Sequence, residues 1–244
     1  MRNRPIIIEF TGPTGAGKTT ISSNVIKGIA AKGYKVGVVH EKVKNSCPII
    51  PESISNISKH NIKTDIIVFP WVVLFAFKHF RFFTFSLQKI FFCKETLKNK
   101  LAILRSFWRK VGIYDYIGRK KFKDWVIVFD EGVVHSMHNF LVGVNFVGKQ
   151  EDIKFFTNNV PMPDILVVAK EDDRVLRYRA LNRNNRSPRI KKTEDIGCFV
   201  THANKLYDVF LDAKANCENL IVHNDAGNIT DKVIFMLGAI CSNR

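Results

Sequence analysis

The chain reads as an α/β protein built on a parallel sheet with helices on both faces. Three observations predict this. Short apolar runs alternate with stretches of helical period. The runs Trp125 to Phe129 (WVIVF) and Ile165 to Ala169 (ILVVA) have no alternating polar residues, as in strands buried on both faces. A glycine-rich turn joins the first run to the first helix, the junction at which such sheets gather ligands.

In chain order, Ile6 to Phe10 is an apolar, β-branched strand, and Thr19 to Lys32 reads as a helix that stops at Gly33. Lys35 to His40 (KVGVVH) is the next strand. The polar, proline-containing stretch Lys44 to Ser58 reads as a loop with room for a short helix. Trp125 to Phe129 follows, ending at the pair Asp130 and Glu131, and Ile165 to Ala169 repeats the pattern after Pro161 and Pro163. Asp173 to Asn182 and Phe199 to Lys214 read as helices separated by the basic loop Asn184 to Lys192. Leu220 to His223 is a last strand, and Thr230 to Ile240 a C-terminal helix. Right-handed crossovers join the strands.

Between the second and third strands lies an insertion, residues 60–123. From Ile66 onward it is rich in aromatics and carries about a dozen Lys and Arg against two acids, Glu95 and Asp115. Phe80, Phe83, Leu87, Ile90 and Phe91 fall at helical spacing, as do Leu97, Leu101, Leu104, Trp108 and Val111, with Lys98, Arg105 and Arg109 on other faces. Two or more amphipathic helices are expected. Ile66 to Phe92 is interrupted by Lys78, His79 and Arg81, too broken for a span of about 20 apolar residues. Its aromatics therefore form either the insertion's own core, the reading the composition favours, or a surface-lying contact with a membrane through residues 66–123.

A length of 244 residues suits a single domain, 1–244, that includes the insertion, and 46% hydrophobic content argues against a disordered chain. Five scattered cysteines lack the paired spacing of a zinc site or redox dithiol. With no apolar stretch of signal-peptide length near Met1, a cytoplasmic protein is expected, with the inner membrane face as its place if the insertion touches lipid. A net charge of +16 attracts nucleic acid, anionic membranes and phosphate-rich ligands alike. No nucleic-acid module accompanies it, so nucleic acid ranks last.

Gly12-Pro13-Thr14-Gly15-Ala16-Gly17-Lys18-Thr19 satisfies G-x-x-x-x-G-K-[ST] in full, between a predicted strand and a predicted helix. Glycines let backbone N–H groups close around phosphate oxygens, and the helix presents its positive end to the anion. The expected nucleotide ligands are Gly12, Thr14, Gly15, Ala16, Gly17, Lys18, Thr19 and Thr20. Lys18 bridges the β- and γ-phosphates of ATP, and the Thr19 hydroxyl ligates Mg²⁺. Asp130 ends a buried strand, where a carboxylate is costly unless it meets a cation or donors, so it is the second expected metal ligand. Glu131 either orients water or a substrate hydroxyl or caps the next helix. Glu41, at the C-terminal end of the second strand, either accepts an acceptor proton or pairs with Lys42 or Lys44. Arg177, Arg179, Arg183, Arg186 and Arg189 suggest a lid that closes on transferring phosphates, the alternative being a solvated basic loop. His135 and His138 read as core or helix-surface histidines rather than metal ligands.

With these residues in view, the chain resembles the thymidylate kinase-like branch of P-loop kinases, which includes nucleoside and nucleotide kinases. IIIEFTGPTGAGKTT is similar to that family's first strand and phosphate loop. His40-Glu41-Lys42 resembles its glutamate motif, where nucleoside kinases place their general base. Asp130-Glu131-Gly132 occupies the position of its acidic motif. The segment from Pro163, PDILVVAKEDDRVLRYRALNRNNR, is similar to its fourth strand, helix and arginine-bearing lid, which makes Arg183 and Arg186 lid residues. Leu220 to Ala226 then corresponds to the last strand and its adenine-side turn.

The resemblance implies a P-loop three-layer sandwich with five parallel strands in the order 2-3-1-4-5, and an ATP- and Mg²⁺-dependent phosphotransferase. Its acceptor would be a nucleoside, nucleotide or related small molecule, with the insertion as the acceptor cap and a second copy of the chain as a further candidate partner. Where thymidylate kinases continue the acidic motif with arginine, this chain has Glu131 and Gly132, which argues against thymidylate itself. The chain also resembles thymidylate kinase-like proteins associated with bacterial polysaccharide biosynthesis, which implies a sugar or lipid-linked saccharide as an alternative acceptor. A different class, an ATPase switch, shares the apolar strand ending in Asp-Glu. Glu131 would then activate water, and neither an N-K-x-D pattern nor a second coupling motif accompanies it.

Overall fold

A computed structural model describes residues 4–39, 62–118, 122–182, 189–190, 192–223 and 228–242. Along the chain run β1 (Ile6–Thr11), α1 (Lys18–Ala31), β2 (Lys35–Val39), α2 (Ile62–Lys78), α3 (Phe80–Phe92), α4 (Leu97–Ile117), β3 (Trp125–Asp130), α5 (Ser136–Phe140), α6 (Gln150–Asn159), β4 (Ile165–Ala169), α7 (Asp173–Leu181), α8 (Asp195–Ala213), β5 (Leu220–His223) and α9 (Ile229–Ser242). The five strands form one sheet in the order β2-β3-β1-β4-β5, with every pair parallel. The expected order is thus the observed one.

The apolar runs are continuous because each strand is covered twice. Ile6, Ile8, Phe10, Val126, Val128, Ile165 and Val167 face one core beneath α1 and α9, while Ile7, Ile127, Phe129, Leu166 and Val168 face the other side. Arg4 pins the start of β1 to the residue before β4 through a bidentate pair with Asp164 (2.7 and 3.0 Å), whose Oδ2 also accepts from the Ile7 N–H (2.8 Å).

The insertion supplies α2, α3 and α4. Its packing corrects the self-contained core expected from composition: Phe82 meets Phe156 of α6 with ring centroids 5.2 Å apart, and Phe107 meets Phe140 of α5 at 6.2 Å. Val72, Phe75, Phe82 and Phe107 belong to the same apolar cluster as Val133, Met137, Leu166 and Tyr207. The predicted faces shift as well. Phe82, Ser86 and Ile90 are the buried stripe of α3, whereas Phe80 and Phe91 point outward, and Leu97 and Leu101 of α4 are exposed. Arg109, expected on a polar face, is buried beside Asp65. With aromatics on every side of these helices, apolar spacing alone does not choose the inward face.

The segment 132–162, where the sequence suggested a helix after Glu131 but set no bounds for one, contains α5 and α6. The five residues of α5 are too few for a helical period to register. Glu41, Arg183, Arg186, the stretch Lys44 to Ser58 and the turn after β5 lie outside the described residues.

Candidate active site

At the C-terminal edge of β1 the chain turns through Gly12, Gly15 and Gly17, all with positive φ (139°, 93° and 80°). A side chain at Gly12 would put its Cβ 2.1 Å from the Ala169 carbonyl oxygen, so only glycine lets the loop pass β4. Gly17 caps α1 in the left-handed region, and the first turn of α1 carries no acidic side chain. The first-turn N–H groups and the positive end of the helix therefore face the loop without a resident anion from their own turn.

Lys18 is the first residue of α1 and is only 7% exposed. Its Nζ donates to the carbonyls of Gly12 and Pro13, both at 3.0 Å, and lies 3.3 Å from Glu131 Oε1. Thr19 Oγ1 donates to Asp130 Oδ2 at 3.2 Å. β3 pairs with β1 in parallel register, Asp130 opposite Phe10, and this carries Asp130 to the loop. Gly15, Gly17, Lys18, Thr19, Thr20, Glu131 and Arg179 line an open pocket of about 270 Å³. Arg179 reaches it from α7, donating to the Gly15 carbonyl (3.2 Å) and pairing with Glu171 (3.2 Å).

Glu131 has a φ of 74°, a left-handed conformation that costs a non-glycine residue of order 1–3 kcal/mol. Its N–H is held by the Phe10 carbonyl at 3.0 Å, which keeps the turn against β1. Burial opposes the charge of its carboxyl, but the adjacent His135 ring edge and the Lys18 and Lys110 ammonium groups together outweigh it and hold the group well below the usual carboxylate range.

Beneath the loop is a buried polar layer. Thr11 Oγ1 lies 2.8 Å from the Tyr207 hydroxyl and 3.2 Å from His135 Nδ1, and the Tyr207 hydroxyl lies 3.1 Å from the same nitrogen. Burial keeps His135 neutral, well below the ordinary histidine value, and its Nε2 faces Glu131 Oε2 at 3.6 Å; the tautomer with its proton on Nε2 leaves Nδ1 to accept. His138 stacks on His135 with ring centroids 5.1 Å apart, and burial holds it neutral too. Glu9, fully buried in β1, accepts the His135 N–H at 2.8 Å. Burial raises its carboxyl to about 7 against the pull of neighbouring backbone N–H groups and Lys110. Gly132 makes room for it: a Cβ there would lie 2.6 Å from Glu9 Oε2.

The structure thus brings Gly15, Gly17, Lys18, Thr19, Thr20 and Glu131 to one pocket, with Asp130 against Thr19; Gly12, Thr14 and Ala16 belong to the loop itself. Two of the five arginines depart from a lid. Arg189 is held by three carbonyls, those of His138, Asn139 and Val142 (3.1, 3.0 and 2.7 Å), and covers the Phe199 ring. Arg177 donates to Thr201 of α8 at 2.9 Å. Glu9, Thr11, Lys110 and Tyr207 were not singled out from the sequence. For Glu9 a signal was present, a lone carboxylate inside the apolar strand IIIEFT; for Tyr207, some 190 residues from the loop, there was none.

A hydroxyl and a carboxylate 3.2 Å apart are hard oxygen donors that suit Mg²⁺, which takes one or two protein ligands and completes its shell with water and phosphate. No cluster of three or more His, Cys, Asp or Glu residues able to hold a metal by itself occurs among the described residues.

The sheet order and the glycine loop feeding α1 define a P-loop α/β protein. Its fold is similar to that of deoxyadenosine kinase from M. mycoides, solved with products dCMP and a flexible dCDP, which aligns at a TM-score of 0.50 with 16% identity, covering 97% of this chain and 100% of that one. The same enzyme with bound dATP aligns at a TM-score of 0.45 with 13% identity, covering 96% and 98%. Thymidylate kinase from Ehrlichia chaffeensis aligns at 0.46 with 16% identity, covering 96% and 99%. Neither a family model nor a curated protein matches the chain.

Proposed function

We propose that the chain is a kinase that transfers the γ-phosphoryl group of ATP to a nucleoside, a nucleotide or a related small acceptor. The observation that carries this is the convergence of Lys18, Thr19 with Asp130, Glu131 and Arg179 on one pocket at the N-terminus of α1. Phosphoryl transfer asks little covalent chemistry of a protein; it needs charge neutralised and oxygens aligned. The loop N–H groups and α1 hold the phosphates, and Lys18 exchanges its contacts with Gly12, Pro13 and Glu131 for phosphate oxygens. Thr19 and Asp130 are the residues that would hold Mg²⁺, which would supply neutralising charge to the phosphates. Arg179 adds a cation from α7; Arg183 and Arg186 are the further candidates that the resemblance implies.

The bond between the γ-phosphorus and the acceptor oxygen forms as the bond to the β-phosphate oxygen of ADP breaks, and the acceptor's hydroxyl proton leaves to a carboxylate. Held well below the usual range, Glu131 is a weak base but a strong hydrogen-bond acceptor, suited to orienting that hydroxyl. Glu41, at the glutamate motif of the resembled family, is the proposed proton acceptor. The acceptor cap is the insertion, residues 60–123. The shared fold of deoxyadenosine kinase from M. mycoides, whose solved products include dCMP, supports a nucleoside or nucleotide acceptor; a sugar or lipid-linked saccharide is the alternative.

A second reading, an ATPase switch, is favoured by the placement of Glu131 on the pocket wall, where water could take the acceptor's place. ADP release measured against a panel of nucleosides, nucleotides and sugars separates the two. The kinase reading requires acceptor-dependent release, and Lys18→Ala should lower it at least about a hundredfold. Turnover unchanged in Lys18→Ala, or hydrolysis indifferent to every acceptor, would overturn it.

A further inference from the structure

The outward side of α2 is apolar where a solvated helix would be polar. Ile66, Phe69, Val73 and Phe77 recur at helical spacing and are 67%, 52%, 38% and 79% exposed, and Phe80, just past the break at His79, is 65% exposed. The stripe from Ile66 to Phe77 extends about 16 Å. Helices α2 and α3 meet at a bend of 111°, with Phe77 and Phe80 on either side of the corner. No single helix among the described residues is long and apolar enough to cross a membrane.

The charges around this face indicate what covers it. Its bordering acids are already engaged, Asp65 by Arg105 (2.6 Å) and Asp115 by Lys78. Arg81 is exposed one residue beyond Phe80, at the corner itself. A second copy of a chain carrying +16 would bring like charge to a cationic border, whereas an anionic surface is attracted to it. Pro70 lies on the same face, and its missing N–H leaves the Ile66 carbonyl without its helical donor. That carbonyl tolerates the wet headgroup layer but not the hydrocarbon centre. We infer that the α2 face and the α2–α3 corner dock the protein onto an anionic lipid bilayer, with α2 lying in the headgroup region and Phe77 and Phe80 entering the acyl boundary.

Flotation of the full chain with lipid vesicles tests this. Vesicles of phosphatidylcholine and phosphatidylglycerol at about 3:1 should carry the protein, phosphatidylcholine alone should carry far less, and salt at about 0.5 M should release most of it. Phe77→Glu with Phe80→Glu should reduce the bound fraction at least about tenfold, and Arg81→Glu, a separate surface change, should weaken binding to the anionic vesicles. Unchanged thermal unfolding midpoints would show that both variants fold. The inference is overturned by a folded wild-type chain that ignores anionic vesicles, or by binding that survives both changes. It is equally overturned by a stable dimer that the double variant splits without any vesicle association, which would assign the face to a second copy.

Discussion

Glu9 lies between Ile8 and Phe10 in the central strand, out of contact with water, and its carboxyl is raised to about 7 from an ordinary value of 4.5. Between those two values the unfolded chain gives up this proton while the native protein keeps it. Stability therefore falls as pH rises through the window, by up to about 3 kcal/mol in total. His135 and His138 act oppositely: held neutral by burial, they cost stability as pH drops below about 6.5, where the unfolded chain protonates them. The difference in unfolding free energy between wild type and Glu9→Gln isolates the first effect. Denaturant titrations from pH 5 to 7 should show the variant gaining on wild type as pH rises; parallel curves would mean that Glu9 ionises normally in the fold. Glu131 makes a second prediction. Glu131→Gln keeps the shape but removes the anion facing Lys18, so kcat should fall about a hundredfold or more while magnesium-nucleotide binding, read by calorimetry, persists.

Helices α2 and α4 pack closely because Gly112 has no side chain: a Cβ there would meet Val72 Cγ2 at 2.8 Å and the Val68 carbonyl at 3.0 Å. Gly112→Ala should therefore force the two helices apart and destabilise the protein by about 1–3 kcal/mol, despite alanine's better helix propensity, a sign that chemical denaturation would read directly. At this scale the sequence was an uneven guide. Strands β1 to β5 were legible within a residue or so, since a strand buried on both faces writes its burial as an unbroken apolar run. The inward faces of α3 and α4 were not, because Phe80 and Phe91 look like core residues in a sequence and lie outside. The glycine turn before α1 was legible because all its residues are contiguous. The layer of Glu9, Tyr207 and Lys110 was not, since its members are scattered along the chain and meet only once the sheet forms.

For the molecule as a whole, the insertion's core is continuous with the main core through Phe82, Phe107, Phe140 and Phe156. The two should then melt together. Trp71 and Trp108 in the insertion, followed by fluorescence, and the far-ultraviolet circular dichroism of the whole chain should report one transition with the same midpoint; an earlier tryptophan transition would show the insertion unfolding by itself. A merged core also fixes the insertion relative to the sheet edge at which the pocket opens. The state of Lys18 has a further consequence. An ammonium group in water must shed its hydration shell before it can grip an anion, but this one is already dry, cradled by its own loop's carbonyls. Folding has met that dehydration penalty in advance, so a ligand's arrival amounts to a swap of partners, and an anion too small to displace Glu131 gains little from the lysine's presence.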